Sequence, residues 1–295
     1  MWAVRLRPPG GPENLVYEEI ETPSPGAGEV LVGVHAAALT RDELTWPTDR
    51  LPAIPSHELS GVVVELGPET TGLSEGEAVY GLTGFERDGV AAQFAAVPAD
   101  RLAPKPEKLT HIEAAAIPLA GLSAMQGLFD HGRLDAGQRV LIHGGGGGVG
   151  AFAVQLARLH GAQVIATATG SRVATARDLG ADEVVDPADL TGIKPVHLVF
   201  DTVGGDRLVR SAQVVEAGGR IVSIAEEPPA DIGVEASFFV VEPKRGQLVE
   251  LARRADQGEL RVLIDSTFPL EQATEAFTRL HSGETKGKVA LAVNE

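Results

Sequence analysis

The apolar positions of this chain change period along its length. Over residues 29–37, 61–67, 76–81 and 93–97, short runs rich in Val, Leu and Ala are separated by Gly, Pro and turn residues. They predict the strands of a mostly β segment with few helices. Pro104-Lys105-Pro106 marks a boundary, and Thr110-His111-Ile112-Glu113 has the spacing of a capping box that opens a helix through an alanine-rich stretch. Beyond it strands and helices alternate. Residues 139–142, 163–167, 183–186, 197–201 and 219–225 predict strands, and several are apolar almost throughout, as in a parallel sheet covered on both faces. Residues 151–159 predict a helix with Phe152, Leu156 and Leu159 on one face. Two later helices are marked by Leu248, Leu251, Ala252 and Ala255, and by Ala273, Phe277 and Leu280; residues 288–293 predict a last strand.

Between the strand at 139–142 and the helix at 151–159 lies His143-Gly144-Gly145-Gly146-Gly147-Gly148-Val149-Gly150. With Gly161 as a stop and a second strand at 163–167, this is a βαβ unit rather than a flexible linker, because linkers are not flanked by a buried strand and an amphipathic helix. Glycines at 144, 147 and 150 permit a tight turn, close approach of backbone to a pyrophosphate, and close packing of helix on strand. Gly148 and Val149 fall at the helix amino terminus, where free N–H groups face phosphate charge.

A dinucleotide site of the NAD type carries an Asp or Glu about 20 residues after the first glycine, holding the ribose 2′-hydroxyl. Here that region reads Ala166-Thr167-Ala168-Thr169-Gly170-Ser171-Arg172, with no acid. The hydroxyls of Thr169 and Ser171 and the guanidinium of Arg172 suit a 2′-phosphate instead, so NADPH is expected over NADH. The competing reading of Arg172 is a solvated residue that merely opens the next helix.

Composition narrows the class. The chain has 295 residues, 43% of them hydrophobic, enough for two domains with substantial cores. A formal charge of −16 argues against nucleic acid or an anionic membrane surface as partner. Cysteine is absent, which removes disulfides, thiol nucleophiles and thiolate metal ligands together. The amino-terminal residues lack a signal-like apolar core and no apolar run reaches spanning length, so a soluble cytoplasmic enzyme is expected.

Seven ordered stretches carry a family resemblance: Gly10-Gly11-Pro12-Glu13, Gly28-Glu29-Val30-Leu31-Val32, Leu141-Ile142-His143 with its glycine loop, Gly180-Ala181-Asp182, Phe200-Asp201-Thr202-Val203-Gly204-Gly205, Gly219-Arg220-Ile221-Val222-Ser223 and Thr285-Lys286-Gly287-Lys288-Val289. On these the chain resembles, nearly end to end, the medium-chain dehydrogenase/reductase superfamily, and within it the zinc-free, zeta-crystallin-like quinone oxidoreductases. The resemblance implies an α/β fold in which a Rossmann doubly wound parallel sheet, residues 112–266, is inserted into a GroES-like mostly β substrate domain formed by residues 1–111 and 267–295. It also implies a cofactor in the cleft between the two, and a homodimer through Rossmann edge strands, with residues 237–241 as the candidate edge.

Zinc-dependent members hold catalytic metal through a Cys, a His and usually a second Cys. The resemblance places Thr40, His57 and Ala120 at those positions, a set too poor for zinc. His57 then either lines the substrate cleft passively or relays a proton. Thr40 stands where zinc-free relatives often carry Asn, and it keeps a hydroxyl able to donate a hydrogen bond. Trp46, in a segment (residues 45–52) shorter than the corresponding family loop, is either a wall of the substrate pocket or a loop-packing residue. Ser123 matches a hydroxyl residue near the nicotinamide. Val203 and Gly204 would present backbone to the nicotinamide ribose, and Ser223 and Phe239 would do so to the carboxamide. Lys288 would meet the pyrophosphate, unless it is plain solvated surface.

The resemblance implies transfer of hydride from NADPH to a quinone or α,β-unsaturated carbonyl without a metal. Such acceptors are already electrophilic, so orientation and hydrogen bonds to the developing oxyanion suffice, and solvent can supply the proton. Two other readings stand beside it: an enoyl-thioester reductase of the same superfamily, and a catalytically silent NADPH-binding protein with a structural or regulatory role.

Overall fold

The structure is a computed structural model that describes residues 1–46 and 49–294. In chain order it opens with β1 (Trp2–Leu6), β2 (Leu15–Glu19), β3 (Glu29–Ala38), β4 (Glu58–Leu66), β5 (Ala78–Leu82), β6 (Phe94–Pro98) and β7 (Leu102–Pro104), followed by the short helices α1 (His111–Ala115) and α2 (Pro118–Met125). The middle gives β8 (Arg139–Ile142), α3 (Gly148–Leu159), β9 (Gln163–Thr167), α4 (Arg172–Asp178), β10 (Glu183–Val185), β11 (Val196–Asp201), α5 (Asp206–Arg210), β12 (Val215–Ser223) and β13 (Glu235–Phe238). The chain closes with α6 (Arg245–Asp256), β14 (Ile264–Pro269), α7 (Ala273–His281) and β15 (Lys288–Ala292).

These elements pack into two compact units. The first comprises Met1–Leu119, Pro243–Gly258 and the residues from Val262 onward; the second comprises Ala120–Glu242 and Glu259–Arg261. The first unit holds a sheet ordered β14-β15-β3-β4-β5-β7, with β6 also paired to β3. Strand β15 lies parallel to β14 on one side and antiparallel to β3 on the other, with Ala290 opposite Ala38. Between β3 and β4 the backbones meet so closely that a Cβ at Gly61 would lie 2.2 Å from the Gly33 carbonyl oxygen. Helix α7 turns Ala273, Ala276, Phe277 and Leu280 into the same core as Val32, Val34 and Leu59, as its 3.6-residue period requires.

The capping box is present: the Thr110 hydroxyl accepts from the Glu113 N–H at 3.3 Å, and the Glu113 carboxylate accepts from the Thr110 N–H at 2.9 Å. The helix it opens is shorter than its alanine content suggests. It stops at Ala115, and Pro118, lacking an N–H, begins α2 as a fresh start.

The second unit is a six-stranded parallel sheet ordered β10-β9-β8-β11-β12-β13. Numbered from β8 this is 3-2-1-4-5-6, the doubly wound order whose ligand site lies at the carboxyl ends of the strands, where the order reverses.

Several boundaries differ from the sequence expectation. The outer unit does not stop at residue 111 or resume at 267. Helix α1 packs on β3 and β4, the Tyr80 hydroxyl donates to the Leu248 carbonyl of α6 at 2.5 Å, and β14 already pairs with β15 at Ile264, so residues 112–119, 243–258 and 262–266 belong with it. Leu159 is 42% exposed rather than aligned with the buried Phe152 and Leu156, because it falls in the last turn of α3, after the final buried position at Ala157. The edge strand expected over residues 237–241 is β13, which ends at Phe238; Phe239 and Val241 beyond it are buried.

Candidate active site

The glycine loop joins β8 to α3 at the carboxyl end of the parallel sheet. Each glycine answers a different constraint. Gly144 takes φ +75°, which L side chains rarely adopt. A Cβ at Gly150 would lie 2.1 Å from the Gly144 carbonyl oxygen, and one at Gly145 would lie 2.6 Å from the Ala166 side chain. At Gly147 a Cβ would meet only the Gly144 oxygen, at 3.2 Å, and would otherwise project into open space. Gly147 caps α3 without a side-chain acceptor of its own, and among the described residues no side-chain hydrogen bond to the first-turn N–H groups of Gly148, Val149 and Gly150 is found. Open space in front of helix-terminal N–H groups suits a pyrophosphate.

Strand β9 ends at Thr167 and no acid follows it before α4. Thr169 and Ser171 are exposed on the connecting turn, and Arg172 is the first residue of α4. The expectation that Arg172 opens a helix and the expectation that it meets a phosphate are compatible: a Cβ at Gly146 would lie 2.7 Å from the Arg172 Cβ, so Arg172 stands directly beside the glycine loop.

At the end of β11 a buried carboxylate organises the next turn, a role the sequence did not reveal. Asp201 is fully buried and accepts from the N–H groups of Val203 and Gly204, both at 3.2 Å on Oδ1, and from the Ser223 hydroxyl at 2.9 Å. The Val203 and Gly204 N–H groups are therefore engaged within the protein, and the Val203 side chain is 42% exposed. The Ser223 hydroxyl also receives the Ala225 N–H at 3.2 Å, and the Ser223 carbonyl receives the Phe239 N–H at 3.2 Å. Phe239 is buried and stacks on His131 with centroids 4.2 Å apart. Ser123 is buried on α2.

In the first unit, Lys288 is neither solvated surface nor free for a pyrophosphate. It is buried on β15, where its ammonium donates to the Glu58 carboxylate and, at 3.3 Å, to the Thr40 hydroxyl. Glu58 also accepts from the Leu119 N–H at 3.0 Å. Beside this group lies Glu43, 2% exposed, its carboxyl near the backbone N–H groups of Thr40 and Ser56. Burial drives its carboxyl well above the usual carboxylate range; the Lys288 ammonium opposes that shift and the Glu58 charge adds to it. One ammonium thus acts on two buried carboxyl groups.

His57 opens into an aromatic group. Its ring lies 5.2 Å from Phe85 and 6.0 Å from Trp46, and Trp46 meets Phe85 edge-on at 5.0 Å. Trp46 is 36% exposed and packs against Phe85 and His57; its neighbours Pro47 and Thr48 lie outside the described residues. Burial, assisted by the Arg50 charge, lowers the His57 imidazole to about 4, so it is neutral at pH 7. The Thr83 hydroxyl donates to the His57 carbonyl at 3.2 Å and lies at the same distance from Nδ1.

Residues 26–107 match the family model for the alcohol dehydrogenase GroES-like domain, and residues 179–291 match the model for zinc-binding dehydrogenases. A "Probable zinc-binding oxidoreductase, mitochondrial" of Arthroderma benhamiae is 33% identical, over 95% of this chain and 93% of its own. The chain belongs to the medium-chain dehydrogenase/reductase superfamily, in its quinone-oxidoreductase branch. An NADPH-dependent alkenal/one oxidoreductase of Arabidopsis thaliana is 32% identical, over 94% of this chain and 74% of its own. A solved quinone oxidoreductase of Coxiella burnetii superposes with a TM-score of 0.94 at 29% identity, covering 100% of this chain and 99% of that one.

Zinc, which the second family model implies, does not fit this dehydrogenase/reductase. It has no cysteine, and among the described residues no group of three His, Asp or Glu side chains could hold a metal ion. Thr40 is hydrogen-bonded by an ammonium, which repels a second cation. Phe85, Thr83, Asp201 and Glu43 escaped the sequence reading. Only Asp201 carried a signal, as the acid preceding Thr202-Val203-Gly204-Gly205.

Proposed function

We propose that this chain is an NADPH-dependent oxidoreductase that transfers hydride to a quinone or an α,β-unsaturated carbonyl without a metal. The observation that carries the reading is the acid-free end of β9, with Arg172 packed beside Gly146 in a glycine loop that leads into the amino terminus of α3 with no side-chain cap at Gly147. Gly144, Gly147, Gly148, Val149 and Gly150 would hold the pyrophosphate, and Thr169, Ser171 and Arg172 the 2′-phosphate. Ser123, the Val203 side chain, and the backbones of Ser223 and Phe239 would border the nicotinamide.

When bound, NADPH supplies the hydride. The electron pair displaced from the acceptor collects on its carbonyl oxygen, and a proton from solvent completes the reduction. Thr40 is suited to the developing oxyanion: its oxygen already accepts from Lys288, so its own proton is available to donate, and the nearby ammonium strengthens that donation. His57, neutral at pH 7, orients the acceptor with Trp46 and Phe85 rather than protonating it. This reading includes a cytoplasmic location and a homodimer; the dimer is supported by β13 at the sheet edge, with Phe238 41% and Val240 60% exposed.

Purified protein assayed with NADPH and NADH against a panel of quinones, enones and enoyl thioesters tests it. Faster turnover of quinones or enones with NADPH is expected. Turnover confined to enoyl thioesters would assign the chain to thioester reduction. Tight NADPH binding with no oxidation by any acceptor would make it a silent binder.

A further inference from the structure

His143 stands between β8 and the glycine loop and is fully buried, yet cofactor binding as described above gives its side chain no task. Its backbone is independently held: its N–H donates to the Phe200 carbonyl at 3.0 Å, and its carbonyl accepts from the Thr202 hydroxyl at 2.7 Å. The imidazole has two partners of its own, the Ser211 hydroxyl 2.6 Å from Nε2 and the Thr167 hydroxyl 3.2 Å from Nδ1.

Counting protons along this chain of groups fixes its direction. The Ser211 hydroxyl donates to the Arg207 carbonyl at 2.7 Å, so its oxygen must accept from the ring, and Nε2 carries the proton. Nδ1 is then a lone pair and accepts from the Thr167 hydroxyl. The Thr167 oxygen in turn accepts from the Gly144 N–H at 3.1 Å. Every donor and acceptor is satisfied: Gly144 to Thr167 to His143 to Ser211 to Arg207. The opposite tautomer strands the Thr167 proton without an acceptor at a residue only 2% exposed, an arrangement folded proteins avoid.

Gly144 is the residue on which the loop turns. Its carbonyl accepts from the Gly147 N–H at 2.8 Å and is the atom against which Gly150 packs. The Thr167 carbonyl also receives the Gly145 N–H at 3.0 Å, so Thr167 holds two successive N–H groups of the loop.

We propose that His143 is a positioning residue. As a neutral Nε2–H imidazole it directs the Thr167 hydroxyl so that its oxygen receives the Gly144 N–H, and so sets the turn that presents the α3 amino terminus to the dinucleotide. It touches no cofactor itself. The consequence for affinity rests on the NADPH reading above; the tautomer does not.

Two measurements test it separately. In the protein without cofactor, the ¹⁵N and ¹H resonances of the His143 ring at pH 7 are expected to show a protonated Nε2 and an unprotonated Nδ1. A proton on Nδ1 would overturn the proposal even if NADPH binds tightly. NADPH affinity is then compared across variants whose melting temperatures are measured alongside. His143→Asn keeps an acceptor at the Nδ1 position and is expected to bind within about threefold of the wild type. His143→Gln keeps only the Nε2-side donor and is expected to bind about tenfold more weakly, the scale of one buried donor left without a partner. Thr167→Ser is expected to bind as the wild type and Thr167→Val about tenfold more weakly, and this pair carries the test should a His143 variant fail to fold. The double variant His143→Gln/Thr167→Val should be no weaker than either single one. Equal losses for Asn and Gln, or equal affinities for Thr167→Ser and Thr167→Val, would overturn the proposal. Failure of the wild-type protein to bind NADPH would instead sink the functional reading and leave the tautomer to stand or fall on its resonances.

Discussion

The Lys288 ammonium lies 3.3 Å from the Thr40 hydroxyl and is paired with Glu58, so a fixed positive charge already stands at the position where zinc-dependent relatives place their first metal ligand. A zinc ion there would face that charge with one imidazole and no thiolate for support. Metal analysis of the purified protein should find no stoichiometric zinc, and prolonged treatment with a chelator should leave turnover unchanged. One zinc per chain, lost together with activity, would contradict this.

Glu43 is expected to make the protein's stability fall as pH rises. Its carboxyl is held well above the usual carboxylate range, first by burial. A group whose pKa is raised on folding contributes stability that is fully present below its unfolded value and is lost as pH rises toward its folded value. The neutral isostere Glu43→Gln is therefore expected to melt with the wild type near pH 4 and above it at alkaline pH, by roughly 2–4 °C for each kcal/mol relieved in a chain of this size. Thermal melts from pH 4 to pH 9 read this directly. A gap that stays constant, or one that favours the wild type at alkaline pH, would mean that Glu43 is ionised and paired.

Arg172→Ala should separate the two cofactors. Loss of a charge-assisted hydrogen bond amounts to about 1.5–3 kcal/mol, so NADPH affinity should fall roughly 10- to 150-fold while NADH affinity is spared. Titrations with both dinucleotides decide it; equal losses would place Arg172 outside the phosphate site.

Burial holds the His57 imidazole at about 4, so it is neutral at pH 7 and is not an acid poised to protonate the acceptor. His57→Ala and Thr40→Ala should each slow reduction of a good quinone by no more than about 10²-fold, the low end for an acid–base catalyst. Gly147→Val should abolish NADPH binding, because its side chain would fill the open space before the α3 terminus. A loss of about 10⁴-fold for His57→Ala with cofactor affinity intact would establish a proton donor.

What the sequence reveals here is what the backbone demands locally. Gly144, Gly147 and Gly150 are legible because a positive φ, an open approach and a close packing contact each exclude a side chain within a few residues of one turn. The acid missing after Thr167 is legible for the same reason. Lys288, Glu58 and Thr40 are not, since Lys288 is 230 residues from Glu58 and 248 from Thr40, and nothing local marks a terminal-strand lysine as buried. Phe85 and Thr83 beside His57 are hidden likewise: β4 and β5 bring them there through pairing, not through any motif. The place of α6 is hidden for the same reason: it is held by Tyr80 and by the Arg245 side chain, which donates to the Leu102 carbonyl at 2.8 Å, both far away along the chain.

Strand β15 sits between β14 and β3, and no other strand joins those two. During synthesis, strands β8 to β13 all emerge between residues 139 and 238 and can complete their sheet while residues 288–292 are still unmade. Throughout that interval β3 has its partners β4 and β6 but a bare edge where β15 will lie, and an unpaired edge invites mispairing. The outer sheet therefore cannot close before the end of the chain is made, although its first strands are the first to be synthesised.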